Sequence, residues 1–241
     1  LEFFLSLGIP ILEVYGMSEV TGPGTMSLRR KYKTGRAGFA IPGTEVAIAD
    51  DGEILMRGPH VFLGYYKDEA ATRETLDEEG WIHSGDIGEL DEDGFLKVTD
   101  RKKELIITSG GKNVAPAPIE AKLKSIAGVA AAVVIGDSRK YLGALLTLDP
   151  ELLPKTAAAA GSPATDEASA ASCTRMHAHL EARVETVNKT LASYETIKRF
   201  VVIPSQFTPE SGELTPTMKL RRRVIYERYA AEIDGLYEIP A

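Results

Sequence analysis

The sequence predicts an α+β fold, and two features carry that expectation. Residues 40–99 contain two β-prone runs of one design, TEVAIADDGEILMRG and IGELDEDGFLKVTD, each interrupted by Asp-Gly. Asp-Gly suits the positive φ angles of a tight hairpin, because glycine lacks the Cβ that makes them costly. Beyond residue 104, strand-like and helix-like segments alternate, as they do where helices pack on a sheet. The charged run DRKKE at 100–104 lies between these regions. It is expected to be a linker, with residues 1–99 in one β-rich part and 105–241 in a small α+β domain.

The first residues, Leu1-Glu2-Phe3-Phe4, read as the middle of a helix, so the natural N-terminus is expected to lie upstream. Residues 8–15 (GIPILEVY) are apolar and bounded by glycine, which predicts a buried strand. KDEAATRETL predicts a short helix near Asp68–Leu76, with acidic residues in its first turn. Past the linker, LIIT reads as a strand end. PAPIEAKLKSI then opens on prolines, which a first helical turn tolerates. Ile119, Leu123 and Ile126 fall on one face of that helix. VAAAVVIG, GALLTLD and RFVVIP read as strands. Leu180, Val184, Val187 and Leu191 mark a second amphipathic helix, and Ile225, Tyr229, Ile233 and Leu236 a final one. The Ala/Ser-rich stretch 155–173 shows no apolar face and reads as a mobile insertion.

The chain has 241 residues and a formal net charge of −7. That balance argues against a nucleic-acid partner, which usually demands a basic surface. Cys173 is the single cysteine, so no internal disulfide can form, in keeping with a reducing compartment. No apolar run approaches the ~20 residues that span a bilayer. The opening residues carry no basic-then-apolar signal peptide.

Four segments bear chemistry-capable residues: YGMSE at 15–19, HSGD at 83–86, DRKKELIITSGGK at 100–112 and LTPTMKLRR at 214–222. Taken singly, each has an ordinary alternative: a strand-to-loop turn, a hairpin turn, a solvated charge run, a surface lysine. In this order, and with GRAGFAIPGTEVAI and GEILMRGPHVFLGYY between them, they resemble the adenylate-forming (AMP-binding) superfamily. The resemblance covers nearly the whole chain. The runs VYGMSEVTGP, EGWIHSGDIGELDEDGFLKVTDRKKELIITSGGKNVAP and GELTPTMKLRR look most like the bubblegum-type long-chain acyl-CoA synthetases.

That resemblance implies a fold: residues 1–99 as the C-terminal, β-rich part of a large AMP-binding domain, and 105–241 as its mobile lid. It also implies a reaction. A fatty-acid carboxylate attacks the α-phosphate of ATP, and CoA then displaces AMP from the acyl-adenylate. Glu19 would hold Mg2+, Tyr15 would lie along the adenine beside Gly16, and Ser18 would reach a phosphate or merely cap the loop. Asp86 and Arg101 would bind the ribose hydroxyls. Arginine's fixed fork of donors suits that polyoxygenated target. Lys219 would bridge the carboxylate and α-phosphate during adenylation. Lys103, two residues past Arg101, would be the hinge between half-reactions. Gly110 and Lys112 would lie beside CoA. Trp81 reads as core packing and His83 as a loop residue. Arg221, Arg222 and Arg223 read as solvated, with CoA phosphates the alternative.

The superfamily's phosphate-binding loop and acyl pocket lie upstream of these segments. The fragment alone is therefore expected to be inactive, with the upstream part of the same polypeptide as its partner. The implied location is the cytoplasm or the cytoplasmic face of an organelle membrane, with peripheral membrane association of the full-length protein. Two rivals are a non-catalytic nucleotide-binding or interaction fragment, and a ligase for aryl or short-chain acids.

Overall fold

The computed structural model describes residues 2–238. The chain divides into two compact units, Leu1–Glu104 and Leu105–Ala241.

The first unit opens with helix α1 (Glu2–Ser6); Leu1 lies outside the described residues. Strands β1 (Val14–Met17), β2 (Gly22–Met26) and β3 (Phe39–Ala40) form an antiparallel sheet in that order. The strand expected at 8–15 is thus confined to its last residues. Pro10 contributes no amide donor to a ladder, and Ile9 and Ile11 are exposed in this chain.

A second antiparallel sheet follows: β4 (Glu45–Ile48), β5 (Glu53–Arg57), β6 (Ile82–Leu90) and β7 (Leu96–Arg101), neighbours in that order. Asp-Gly turns join β4 to β5 and β6 to β7, with Gly52 at φ 87° and Gly94 at φ 77°. Helix α2 (Glu69–Thr75) lies between β5 and β6, and the Asp68 carboxylate caps it by accepting from the Ala71 amide at 3.0 Å. Val20, Ile54, Met56, Ile82 and Leu96 form the core. Trp81 is only half-buried, with the Arg57 guanidinium 4.4 Å from its ring.

Glu53 is the exception to this apolar core. It is 3% exposed, and three donors surround it: His83 Nδ1 at 3.0 Å, the Gly85 amide at 2.8 Å and Lys102 Nζ at 2.9 Å. Lys102 also reaches Asp51 Oδ2 at 2.6 Å. Burial pushes the Glu53 carboxyl up, but the Lys102, His83 and Gly85 donors outweigh it and hold it below its ordinary range.

In the second unit, β8 (Ile106–Ile107) and β9 (Asn113–Val114) form a short ribbon. Helix α3 (Pro116–Lys124) buries Ile119 and Leu123, with Ile126 just beyond its end. The main sheet runs β10 (Val129–Ile135), β11 (Leu142–Leu148) and β12 (Ile197–Val202). β11 is central, antiparallel to β10 and parallel to β12. All seven β11 residues are buried, because both faces are covered. Leu142, Ala144, Leu146 and Leu148 face α3, α4 (Leu153–Ala160), α5 (Glu167–Ala171) and α6 (Thr174–Asn188). Leu145 faces α7 (Arg222–Arg228) and α8 (Ala230–Gly235), where Ile225, Tyr229, Ile233 and Leu236 pack. Leu180 and Val184 of α6 are buried, whereas Val187 and Leu191 are partly buried at the margin of the cluster.

The stretch 155–173 is not the featureless insertion its composition suggests. It supplies most of α4 and all of α5, and Thr156, Ala157 and Ala170 are buried. Gly161 ends α4 at φ 59°, and Asp166 with Ser169 forms a capping box for α5. Alanine buries by being small, so an apolar face made of alanines is invisible to hydrophobic periodicity.

Arg222 is likewise not solvated. Its guanidinium makes a two-pronged pair with Glu120, both bonds 2.8 Å, and Glu120 also accepts from the Val134 amide at 2.8 Å. Removing the carboxylate takes from a largely buried cation its two-pronged, charge-matched acceptor. Glu120→Ala is expected to destabilise the chain by about 3 kcal/mol, and Glu120→Gln by less, in urea denaturation followed by circular dichroism.

Glu53 supports a pH prediction. Its folded pKa lies below the unfolded value of about 4.3, so the unfolded state takes up protons first as pH falls. Its stabilisation is present above about pH 4.3 and is lost as pH drops through the depressed folded pKa. Glu53→Gln is expected to lower Tm at pH 7 and to flatten the decline of Tm between about pH 5 and 3. An unchanged slope in a Tm–pH series would assign the acid limb to other carboxylates.

Candidate functional site

Tyr15, Asp86 and Arg101 come together in the first unit. The β1–β2 register shifts between Tyr15 and Gly16. The chains approach so closely there that a Cβ on Gly16 would lie 1.9 Å from the Gly22 carbonyl oxygen, so only glycine fits. Half-buried Tyr15 donates its hydroxyl to Asp86 Oδ2 at 2.8 Å. Burial pushes the phenol far above its ordinary pKa, so it remains a donor.

Asp86 and Arg101 are directly opposed across β6 and β7. Arg101 Nε lies 3.5 Å from Asp86 Oδ1, with the arginine side chain 68% exposed. The Asp86 backbone is fixed by a bond from its amide to Ser84 Oγ at 3.1 Å. Just before it, the Gly85 amide is held by Glu53. This cluster presents a carboxylate, a guanidinium with open donors and an aromatic ring, a set suited to a hydroxyl-rich, ring-bearing ligand.

Glu19 sits in a 3-10 turn, Ser18–Val20, anchored by buried Val20. Glu19 Oε1 accepts from the Tyr65 hydroxyl at 2.6 Å. The Ser18 hydroxyl is exposed and makes no hydrogen bond among the described residues; it does not cap this turn. Lys103 is exposed within a second 3-10 turn, Lys102–Glu104. Its neighbour Lys102 is the residue tied to Asp51 and Glu53.

Gly110, Lys112 and Lys219 belong to the second unit. Thr108 closes the glycine turn, its amide donating to the Lys112 carbonyl at 3.0 Å and its Oγ1 accepting from the Lys112 amide at 3.1 Å. Gly111, at φ 72°, is the glycine this turn requires. A Cβ on Gly110 would meet only Thr108 Oγ1, 4.0 Å away, so the space beside it is open. Lys112 Nζ lies 5.8 Å from the Tyr194 ring centroid.

Lys219 stands at the exposed end of a tight loop. Leu214 and Leu220 bridge its base, the Thr215 amide donates to the Lys219 carbonyl at 2.8 Å, and Met218 adopts φ 63°. The Lys219 ammonium makes no hydrogen bond or ion pair among the described residues. At the base, Glu213 is 1% exposed and takes donors from Ser211, Arg228 and Tyr229. The loop is thus held at its root with its cation free.

Two functional-site residues escape sequence reasoning. Glu53 holds the first half of β6, the strand that carries Asp86, yet in sequence it is one acidic residue after a turn. His83, read as a loop residue, is one of the Glu53 donors and also lies 3.5 Å from Asp77. The signal that could have found them is the pairing of a strand-start glutamate with a histidine two residues before a site aspartate.

The chain matches the family model for the AMP-binding enzyme C-terminal domain over residues 103–240 and that for the AMP-binding enzyme over residues 1–66. It is 43% identical over 244 residues to the long-chain-fatty-acid–CoA ligase FadD15 of Mycobacterium bovis, covering 98% of this chain and 39% of that protein. It is 41% identical over 261 residues to the long-chain-fatty-acid–CoA ligase ACSBG2 of Xenopus laevis, covering 99% and 35%. Among solved structures it is similar to the O-succinylbenzoate CoA synthetase of Bacillus subtilis in complex with AMP, at TM-score 0.67 and 28% identity, over 92% of this chain and 42% of that one. The same synthetase in complex with ATP and magnesium ion gives TM-score 0.64. The chain thus spans well under half the length of these proteins. With a family model matching more than half of its residues, the chain belongs to the AMP-binding, adenylate-forming enzyme family.

Proposed function

We propose that the polypeptide containing this chain activates a fatty acid to its CoA thioester through an acyl-adenylate. The observation that carries this reading is the Tyr15–Asp86–Arg101 cluster, in a chain about two-fifths identical to long-chain-fatty-acid–CoA ligases. In the first half-reaction a carboxylate oxygen attacks the α-phosphate of ATP, an acyl–phosphate bond forms, and pyrophosphate leaves. In the second, the CoA sulfur attacks the acyl carbon, a thioester forms, and AMP leaves with the bonding pair.

Each residue has a part set by its chemistry. Asp86 accepts from the ribose hydroxyls, since a carboxylate holding one tyrosine bond keeps acceptor capacity. Arg101 donates to the same sugar. Tyr15 lies along the adenine, its ring fixed by the hydroxyl bond to Asp86, with Gly16 allowing the close backbone approach. Ser18 offers its unengaged hydroxyl to a phosphate oxygen. Lys219 neutralises charge as it shifts between carboxylate and α-phosphate. Lys103 is the pivot between half-reactions, and Gly110 and Lys112 border the pantetheine of CoA, where the open space beside Gly110 supports a close approach.

Glu19 fits a magnesium ligand of the kind held by one carboxylate plus phosphate oxygens and water. It is half-buried, and among the described residues no group of three or more His, Cys, Asp or Glu forms a complete metal cage. Bound there, magnesium supplies positive charge against the triphosphate. We further propose, for the full-length protein, a location in the cytoplasm or on the cytoplasmic face of an organelle membrane, with peripheral membrane association.

Fatty-acid-dependent pyrophosphate release by the full-length polypeptide, across acid chain lengths, tests the reaction; release with short-chain or aryl acids only would refute the fatty-acid assignment. Lys219→Ala is expected to slow acyl-adenylate formation about 100- to 1,000-fold, while supplied acyl-adenylate is still converted to acyl-CoA. Equal losses in both steps would remove Lys219 from the adenylation role. Asp86→Ala is expected to weaken AMP binding by about 1.5–3 kcal/mol, read by calorimetry on the full-length polypeptide.

A further inference from the structure

Tyr65 and Tyr66 are adjacent in sequence but differ in surroundings. Tyr66 is 88% exposed, and its hydroxyl has no hydrogen-bond partner among the described residues. Tyr65 is held from several sides. Its amide donates to Thr72 Oγ1 on α2 at 2.9 Å. Its ring meets Phe62 edge-on at 4.9 Å. Before it, Gly64 lies at φ 139°, where a Cβ would come 2.8 Å from the Thr72 methyl, so the chain can pass α2 only as glycine. The Tyr65 hydroxyl then donates to Glu19 Oε1.

The segment 60–65 is also joined to the Glu19 turn through the backbone. The Phe62 amide donates to the Glu19 carbonyl at 2.8 Å, and Thr21 Oγ1 donates to the His60 carbonyl at 2.9 Å. These two bonds fix the turn without Tyr65. The phenol is therefore not needed to hold the backbone, and its bond acts on the carboxylate itself.

We infer that Tyr65 is a positioning residue for Glu19: by occupying Oε1 it fixes the carboxylate rotamer and leaves Oε2 to face the metal–triphosphate. This rests on the reading of Glu19 as the carboxylate that meets magnesium and ATP. A flexible glutamate loses rotamer entropy on engaging a ligand, and a bond already made in the free protein removes part of that cost. AMP lacks the triphosphate and its metal, so it does not draw on Glu19.

The test is calorimetry on the full-length polypeptide with magnesium–ATP and, separately, AMP. Tyr65→Phe removes one oxygen from a residue already 38% exposed, so Tm is expected to change little. The expected result is a roughly 3- to 10-fold weaker magnesium–ATP Kd, a shift of the half-saturating magnesium concentration upward, and unchanged AMP affinity. Tyr66→Phe is expected to leave all three unchanged. In a Glu19→Ala background, Tyr65→Phe is expected to have no further effect, because the phenol acts only through that carboxylate. Unchanged magnesium–ATP affinity in Tyr65→Phe, equal losses for ATP and AMP, or a full effect without Glu19 would each overturn the inference while leaving nucleotide activation standing. A wild-type polypeptide that binds neither nucleotide would overturn both.

Discussion

Burying Glu53 imposes a constraint on everything near it. A carboxylate at 3% exposure must be surrounded by donors, or it protonates or pulls the fold open. Its donors come from two places: His83 and Gly85 at the start of β6, and Lys102 just past β7. Satisfying one charge therefore fixes both the stretch of β6 that carries Asp86 and the segment that leads into Lys103. The requirement belongs to folding, but its result is a placed carboxylate at the candidate site.

The second unit uses the same device differently. Glu120 and Arg222 neutralise each other at the β10 edge of the sheet, and Glu213 gathers donors from Ser211, Arg228 and Tyr229. These braces bracket the 214–221 loop on either side. The loop's own bonds are short-range, and its lysine is left in water. On the proposed reading, in which this cation engages a ligand, the arrangement is an advantage. Its ammonium breaks no protein contact to do so, while the loop's root keeps its position. Breaking either brace would alter where the lysine starts and leave its charge unchanged.

What the sequence revealed depended on which physical signal each element uses. The Asp-Gly hairpins were legible because turn chemistry is local, and the α3, α7 and α8 faces because large apolar residues recur at helical spacing. The stretch 155–173 was opaque because alanine and threonine bury by size. Residues 8–13 misled because apolar character suggests a strand, whereas Pro10 interrupts pairing and the β1–β2 ladder reaches back only to the Glu13 carbonyl, which accepts from the Ser27 amide. The motif residues were nameable only through their joint resemblance to a family. Their supports were not: Glu53 looks like any polar residue of a half-exposed strand, and Tyr65 is indistinguishable from Tyr66 until the backbone is folded. Arg222 looked like one of three surface arginines because its partner is 102 residues away.

The bonds to Asp86 also rank which parts of the nucleotide cluster can move. Its contact with Tyr15 is a 2.8 Å hydrogen bond from a half-buried phenol to a charged acceptor, the stronger class of hydrogen bond. Its contact with Arg101 is a 3.5 Å approach by a side chain that is 68% exposed, and exposed pairs of that kind contribute about 0–1 kcal/mol. Arg101 can thus turn toward a ligand at little cost, whereas Tyr15 leaves Asp86 only by giving up the stronger bond. On the proposed reading, the ring and carboxylate form a preset surface for adenine and ribose, and the arginine closes over it. Arg101 ends β7, Lys102 is tied at once to Asp51 and Glu53, and exposed Lys103 is the first residue past that anchor, which is where the proposed reading puts the pivot.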